Sequence, residues 1–195
     1  MIYINHGERQ LQNAGEDGLF NHDPGLDGKC IPECKKLCKI LVSLYGYPVK
    51  IVTSPYRVCR ETTIVLGNIL KTLNEKEKDI DVVVDTSLSY YLGNLKHLNI
   101  NVTPQTQFYR PSFHENYEEM KTRVEKHVTA QKKYFTKKNG PVWYITHSNI
   151  LAEIFNLSHP EVCSPSFFKS LATPFFAFCM KEVNDYKKLD LIKIK

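Results

Sequence analysis

Short apolar runs alternate with helical patterns along most of this sequence. The alternation predicts strands at residues 1–4, 49–53, 81–84, 142–146 and 175–183, separated by helices at residues 30–45, 55–73, 115–135 and 148–155. Strands that alternate with helices are joined by crossovers, which favour parallel pairing and place helices on both faces of a sheet. The sequence therefore predicts a three-layer α/β/α fold around a central, mostly parallel sheet.

Three stretches extend this prediction. The run DVVV at residues 81–84 is short and rich in β-branched residues, which predicts a strand that is buried on both faces. Residues 94–114 lack clear periodicity, and we interpret them as a long surface loop that caps a site. The main domain is predicted to span residues 1–183, followed at residues 184–195 by a basic tail or an additional edge strand.

The composition argues against several classes of protein. Of the 195 residues, 42% are hydrophobic and 24% are charged, values that are typical of globular domains. The first ten residues lack the features of a signal peptide and no apolar run is long enough to span a membrane, so we expect a soluble cytoplasmic protein without a membrane partner. The net charge of +5 is modest and no recognition motif is present, so nucleic acid is not an expected partner.

Cysteines form a pattern of their own in the first predicted helix. Cys30, Cys34 and Cys38 are spaced by four residues, which places them along one stripe of that helix. In an intracellular protein we expect them to be reduced. A metal site would require a fourth ligand from elsewhere in the chain, so we favour small side chains that face the core, and we predict no metal and no cofactor.

Polar residues follow three of the predicted strands, at the point where each strand ends. Residues 5–9 (NHGER) follow the first strand, residues 54–62 (SPYRVCRET) the second, and residues 146–148 (THS) the fourth. The carboxyl ends of parallel strands meet at one edge of a sheet, so we expect these residues to line a single crevice. His6, His147, at least one arginine and the amides of helix N-termini would converge there, a combination that suits a phosphate.

The order of these motifs resembles the histidine phosphatase (phosphoglycerate mutase-like) superfamily. Counterparts of family motifs occur in order over about residues 1–183: HGER at 6–9, DPGL at 23–26, Ser-Pro at 54–55 with Cys59 and Glu61-Thr62, ENYEEM at 115–120, and His147. The resemblance implies a phosphoglycerate mutase-like fold and a metal-independent phosphatase. In such an enzyme His6 would attack phosphorus and form a phosphohistidine that water hydrolyses. The implied substrate is a phosphorylated small molecule or a phosphoprotein.

The sequence departs from the family where arginines hold the phosphate. Asn5 replaces the arginine that precedes the nucleophile, and Val58 replaces the arginine expected four residues after Ser54. A guanidinium offers a rigid fork of donors that matches phosphate, so both replacements weaken the predicted site. The candidate phosphate-binding residues are Arg57 as first choice, then Arg9 and Arg60, with Asn5 and Ser148 as uncharged donors.

The proton donor to the leaving group is also replaced. The resemblance implies a glutamate two residues beyond Leu88, where this sequence has Tyr90. A phenol titrates far above neutral pH and is therefore a poor general acid there. Glu115 is our candidate general acid, with Asp85 as an alternative. Glu115 also begins a predicted helix, where a carboxylate stabilises the helix dipole without any catalytic role.

Two functional hypotheses arise from these residues. The first is a phosphomonoester hydrolase of low activity that acts through a phosphohistidine. The second is a catalytically inactive pseudoenzyme that keeps the scaffold as a binding or structural protein. A mutase ranks third, because nothing in the sequence favours it over hydrolysis. The sequence leaves the oligomeric state open.

Overall fold

A six-stranded sheet with helices on both faces forms the described part of the chain. The computed structural model describes residues 1–10, 24–73, 80–91, 115–132, 140–158, 174–175, 177–180 and 189–192. The strands are β1 (Ile2–Asn5), β2 (Lys50–Thr53), β3 (Asp81–Val84), β4 (Val142–Thr146), β5 (Ala177–Met180) and β6 (Leu189–Ile192), and the helices are α1 (Ile31–Tyr45), α2 (Arg57–Leu73), α3 (Tyr117–Lys132) and α4 (Ser148–Ser158). Short 3-10 helices at Gly28–Cys30 and Thr86–Leu88 precede α1 and follow β3. The loop predicted at residues 94–114 lies outside the described residues.

The strands are ordered β3-β2-β4-β1-β5-β6 across the sheet. The strands β3, β2, β4 and β1 are parallel to one another, whereas β5 pairs antiparallel with both β1 and β6. The predicted α/β fold with a mostly parallel sheet is therefore confirmed. None of the described helices combines the length and the apolar character that a membrane span requires.

The prediction that residues 81–84 form a strand is confirmed, but the prediction that this strand is buried is wrong. β3 lies at one edge of the described sheet, paired with β2, and all four of its residues are exposed. Val84, for example, keeps 53% of its surface in contact with solvent. A β-branched run favours an extended backbone in an edge strand as well as in a central one, so composition alone did not distinguish the two positions.

Side chains alternate along each central strand between two hydrophobic cores. On one face Ile2, Ile4 and Ile51 belong to a cluster with apolar side chains of α1 and α2. On the opposite face Tyr3 and Val52 pack with side chains of α3 and α4. This division follows from the two-residue period of a strand, and it produces the predicted three layers.

The cysteine stripe contributes to the first of these cores. Cys34 and Cys38 on α1 are completely buried, and Cys30, which ends the preceding 3-10 helix, is 4% exposed. All three belong to the cluster that α1 and α2 form against the sheet. The prediction of small core-facing side chains is therefore confirmed.

The parallel register aligns the ends of the central strands. Asn5 is paired with Thr146, and Thr53 is paired with Ile145. His6 and His147 are the residues that follow β1 and β4, so they leave the sheet side by side at its carboxyl edge. The segment that begins at Ser54 follows β2 at the same edge.

Gly7 lies where the chain after β1 passes between two buried side chains. A Cβ atom at Gly7 would lie 2.7 Å from Phe175 Cζ and would also overlap the side chain of Leu26. The Gly7 amide donates a hydrogen bond to Thr62 Oγ1 (3.1 Å), which ties this backbone to α2. The glycine after His6 is therefore required by close packing.

We predict that Gly7→Ala lowers the free energy of unfolding by about 1–3 kcal/mol, the usual cost of overpacking a core. Gly67→Ala provides the matched control, because Gly67 lies within α2 and a Cβ there would have no neighbour within 4 Å. The control should raise the free energy of unfolding by roughly 0.5–1 kcal/mol, since alanine favours a helix more than glycine does. Chemical denaturation measures both, and equal effects would contradict the packing argument.

Candidate active site

His6 is oriented by hydrogen bonds on both sides of its ring. Its backbone amide donates to the Thr146 carbonyl (3.0 Å), which continues the β1–β4 ladder by one residue. Its Nδ1 lies 2.6 Å from the Gly7 carbonyl oxygen, and its Nε2 lies 3.2 Å from Arg9 Nη2. A carbonyl can only accept and a guanidinium can only donate, so we assign the proton to Nδ1 and the lone pair to Nε2.

His147 lies directly beside His6. The two ring centroids are 5.1 Å apart, with an interplanar angle of 67°. His147 Nε2 is 3.0 Å from Ser54 Oγ and 3.4 Å from Cys59 Sγ, and the residue as a whole is 1% exposed. The residues after β1, β2 and β4 thus meet at one point, as the parallel sheet requires.

Two tyrosines and Arg9 surround the histidine pair. The rings of Tyr56 and Tyr90 lie 5.1 Å and 5.2 Å from the His147 ring, both nearly edge-on. The Arg9 guanidinium carbon lies 5.2 Å from the centroid of the Tyr90 ring, within the range of a cation–π interaction. Arg9 therefore spans from the nucleophile candidate to the aromatic wall of the site.

Burial keeps both histidines neutral at physiological pH. Desolvation lowers the pKa of His6 to about 4, outweighing the hydrogen bond to Gly7, which raises it, and the charge of Arg9 lowers it further. The pKa of His147 lies well below its usual value because of burial first, and then because of the nearby His6, Arg9 and Arg123. A neutral imidazole carries the lone pair that a nucleophile needs.

Arg9 has a buried donor for which the described part of the chain supplies no acceptor. Its Nε atom is buried and has no hydrogen-bond partner among the described residues. Leaving a charged donor buried and unpaired is costly, so such a group is typical of a position where an anion binds. The sequence ranked Arg9 below Arg57, whereas the structure places Arg9 in contact with His6.

Arg57 is held at the surface by an ion pair. Its Nε atom lies 2.6 Å from Glu61 Oε1, with the two side chains 46% and 32% exposed. Glu61 also accepts a hydrogen bond from the Leu26 amide (2.6 Å), and a Cβ at Gly25 would lie 3.3 Å from Arg57 Cζ. Glu61 therefore pairs with Arg57 within α2 and fastens this helix to Leu26, which belongs to the DPGL segment at residues 23–26.

Glu115 is engaged in a different ion pair. Both of its carboxylate oxygens accept hydrogen bonds from Arg123, at 2.6 Å and 2.7 Å. Arg123 in turn donates to the carbonyls of Ser87 and Ser89, immediately before Tyr90. The structure therefore does not bring the candidate acid to the histidines, and Glu115 instead helps to fix the turn that positions Tyr90.

Asp85, the alternative acid, belongs to a part-buried hydrogen-bond network at the same turn. Ser87 donates two hydrogen bonds to Asp85 Oδ1, from its hydroxyl (2.6 Å) and its amide (2.8 Å), and Asp85 Oδ2 lies 3.1 Å from His127 Nδ1. Burial alone would raise the pKa of Asp85, but these hydrogen bonds outweigh it and lower the pKa to about 2. Asp85 is therefore ionised at neutral pH and has no proton to donate.

The remaining candidates have different surroundings. Asn5 is 2% exposed and directly precedes His6, whereas Arg60 is half-buried on α2. Ser148 begins α4 and lines a separate cavity of about 320 Å³ together with Tyr91 and Tyr117. Val58, which replaces an expected arginine, is 1% exposed and belongs to the hydrophobic core.

The structure places further residues at the site, to which the sequence had assigned no role there. Tyr56 and Cys59 belong to the Ser-Pro segment, and their positions could have been inferred from the predicted start of α2. The contribution of Arg123 could not have been inferred, because it depends on the packing of α3 against the turn after β3. These residues act on His147 through ring contact, a buried thiol and charge, respectively.

Known structures share this architecture, although no family model and no curated protein sequence matches the chain. A mycobacterial hydrolase superposes on 98% of this chain and 88% of its own length, with a TM-score of 0.59 and 14% sequence identity. A mycobacterial glucosyl-3-phosphoglycerate phosphatase matches 91% of this chain and 87% of its own, with a TM-score of 0.55 and 16% identity. That phosphatase has also been solved with inorganic phosphate and with vanadate.

A third similar structure, a proposed phosphohistidine phosphatase from Agrobacterium tumefaciens, matches 98% of this chain and 94% of its own length, with a TM-score of 0.54 and 13% identity. Identities this low establish a common fold and leave the activity to be argued from the site. The chain has the phosphoglycerate mutase-like α/β fold that these proteins share.

Proposed function

We propose that this chain is a slow phosphoric monoester hydrolase that forms a phosphohistidine on His6, without a metal ion or cofactor. The observation that carries the proposal is the contact between Arg9 Nη2 and His6 Nε2 (3.2 Å) beside the buried ring of His147. It joins a neutral nucleophile to a cation whose buried Nε atom has no hydrogen-bond partner among the described residues. The substrate is a phosphorylated small molecule or a phosphoprotein.

The reaction begins when a phosphate group displaces the Arg9 contact from Nε2. Arg9 then donates to the equatorial oxygens of the phosphoryl group, while the Nε2 lone pair attacks phosphorus in line with the leaving oxygen. In phosphoryl transfer the protein contributes mainly by positioning the reactants and by neutralising charge. His147, held by Ser54, lies close enough to His6 to donate a further hydrogen bond to the transferred group.

The same residues explain why we expect slow turnover. Asn5 and Val58 replace two guanidinium groups, and Arg57 is engaged with Glu61. Removal of one preorganised donor commonly costs about 2.7–4 kcal/mol of transition-state stabilisation, a factor of roughly 10²–10³ in rate. With a single arginine contacting His6 among the described residues, the site would supply less stabilisation than one built on two arginines.

The alternative is a pseudoenzyme that binds an anion without turnover. The burial of Val58 in the core and the ion pair between Glu115 and Arg123 favour it, because Val58 stands where the resemblance implies an arginine and Glu115 is the candidate general acid. In that case the histidines and Arg9 would serve as an anion-binding site on a structural scaffold.

A turnover assay with 4-nitrophenyl phosphate distinguishes the hydrolase from the pseudoenzyme. We predict measurable hydrolysis by the wild-type protein and none above background by His6→Ala. As a control for the pocket itself, millimolar vanadate should raise the melting temperature of the wild-type protein, because a ligand that binds only the folded state stabilises it. A vanadate shift with equal rates for both proteins would instead support the pseudoenzyme. Equal rates without any shift would contradict both proposals.

Arg9 and Arg57 can be compared directly. We predict that Arg9→Ala lowers kcat/KM by roughly 10²–10³-fold, the usual effect of losing a donor to developing charge. Arg57→Ala should cost less than about 5-fold, because an exposed ion pair of this kind contributes little. A larger loss for Arg57→Ala than for Arg9→Ala would show that Arg57 holds the phosphate.

The lowered pKa of His6 gives a spectroscopic prediction. In an NMR titration the His6 ring should stay neutral until the pH approaches 4, and its resonances are assigned by their loss in His6→Gln. Because the unfolded chain binds this proton near pH 6.5, the free energy of unfolding should decrease as the pH falls from about 6.5 towards 4. A midpoint between pH 6 and 7 for His6 would contradict its burial in the site.

A further inference from the structure

Two phenol rings contact the ring of His147, which lies beside the candidate nucleophile His6. The rings of Tyr56 and Tyr90 lie 5.1 Å and 5.2 Å from His147 and 6.2 Å from each other. Among the described residues, no carboxylate forms a hydrogen bond with either histidine. The wall of the site is therefore aromatic on the side that holds Tyr90.

The two carboxylates that the sequence suggested as general acids are committed elsewhere. Glu115 binds Arg123 through both oxygens, and Asp85 accepts hydrogen bonds from Ser87 and His127. Arg123 and Asp85 hold the two ends of the same turn, Thr86–Leu88, which leads into Tyr90. Moving either carboxylate to the histidines would break the contacts that position Tyr90.

The chemistry of phosphoryl transfer makes this arrangement discriminate between leaving groups. In a loose transition state, negative charge accumulates on the leaving oxygen. An alkyl alcohol is nearly as weak an acid as water, whose pKa is about 15.7, so an alkoxide requires a proton from a general acid as it leaves. A phenol has a pKa of about 10, so a phenolate can leave as the anion.

We propose that the site selects phosphate esters of phenols over phosphate esters of alkyl alcohols. The inference rests on the proposed hydrolase function and specifies its substrate class. The half-buried ring of Tyr90, backed by the buried ring of Tyr56, offers an aromatic surface against which an aryl leaving group packs. Phenols are in general poor general acids at neutral pH. The proposed substrate class is an aryl phosphate, and both a small metabolite and a phosphotyrosyl side chain belong to it.

The two steps balance without a co-reactant other than water. In the first step the P–N bond to His6 Nε2 forms, the P–O bond breaks, and the electron pair stays on the phenolate. In the second step a water oxygen attacks phosphorus and the P–N bond returns its electron pair to Nε2. One proton of that water remains on the released phosphate and the other neutralises the phenolate through solvent.

The test is a leaving-group series measured on the full chain. The aryl phosphates in the series are 4-nitrophenyl phosphate, phenyl phosphate, free phosphotyrosine and a phosphotyrosyl peptide. The alkyl phosphates in the series are glycerol phosphate, phosphoserine and the matched phosphoseryl peptide. We expect kcat/KM to fall as the leaving-group pKa rises, with alkyl esters about 10²–10⁴-fold below phenyl phosphate, the range that a general acid usually contributes. The free amino acid and the peptide distinguish a small-molecule substrate from a protein.

Two matched variants test the role assigned to Tyr90. Tyr90→Glu introduces a carboxylic acid beside His147 and should raise the alkyl-to-aryl ratio of kcat/KM at least 10-fold. Tyr91→Glu adds the same charge one residue along the chain, where the ring faces Tyr117 instead of the histidines, and should leave the ratio unchanged. Because the ratio is internal to each protein, partial loss of folded material does not alter it.

Failure of this inference is distinguishable from failure of the proposed function. Equal kcat/KM for alkyl and aryl esters in the wild-type protein would overturn the inference and leave the hydrolase intact. A ratio that rises equally in both variants would also overturn it, because Tyr90 would then have no special position. No turnover even of 4-nitrophenyl phosphate would overturn the hydrolase, and the inference with it.

Discussion

The parallel pairing of β1 with β4 is the constraint on which the rest of the site depends. Its register aligns Asn5 with Thr146, and the next residue on each strand is a histidine. Because both chains leave the sheet at the same edge, His6 and His147 come within ring contact without any loop having to position them. Gly7 then allows the chain to pass beneath Leu26 and Phe175, which holds the backbone of His6 in place.

Burial determines the protonation state of this histidine pair and therefore its chemistry. A shift in the pKa of His6 from 6.5 to about 4 means that protonation of the folded protein is disfavoured by roughly 3 kcal/mol. The cost arises from taking the imidazole out of water next to the charge of Arg9. The sheet therefore supplies a nucleophile that is neutral at physiological pH, and the same arginine supplies positive charge for an anion.

Much of this arrangement could be predicted from the sequence, because strand and helix patterns are local and the first residues after each parallel strand gather at one edge of the sheet. For that reason the sequence predicted that His6, His147 and the segment beginning at Ser54 line one crevice, and these residues are in contact in the structure. The choice among arginines could not be made this way. Arg57 is turned by its pairing with Glu61, and Arg9 reaches His6 only because residues 8–10 run beside residues 25–27.

The exposure of β3 and the surroundings of the candidate general acid could not be predicted from the sequence either. The run DVVV predicts a strand but not its position at an edge, which depends on how many neighbours the sheet provides. Glu115 has the residue type of an acid, yet its contact with Arg123 arises from the packing of α3 against the turn after β3. Contacts with distant segments of the chain, a neighbouring strand in one case and a side chain in the other, decide both outcomes.

The proposed mechanism depends most on Nε2 of His6 being the atom that carries the phosphoryl group. Its most direct test is to quench the protein during turnover of an aryl phosphate at alkaline pH, where phosphohistidine is preserved, and to identify the modified nitrogen by mass spectrometry and 31P–15N NMR. The mechanism predicts one phosphoryl group, on Nε2 of His6, because Nδ1 is bound to the Gly7 carbonyl. A phosphoryl group on Nδ1, on His147 or on another residue would contradict it, as would steady turnover without a phosphorylated protein.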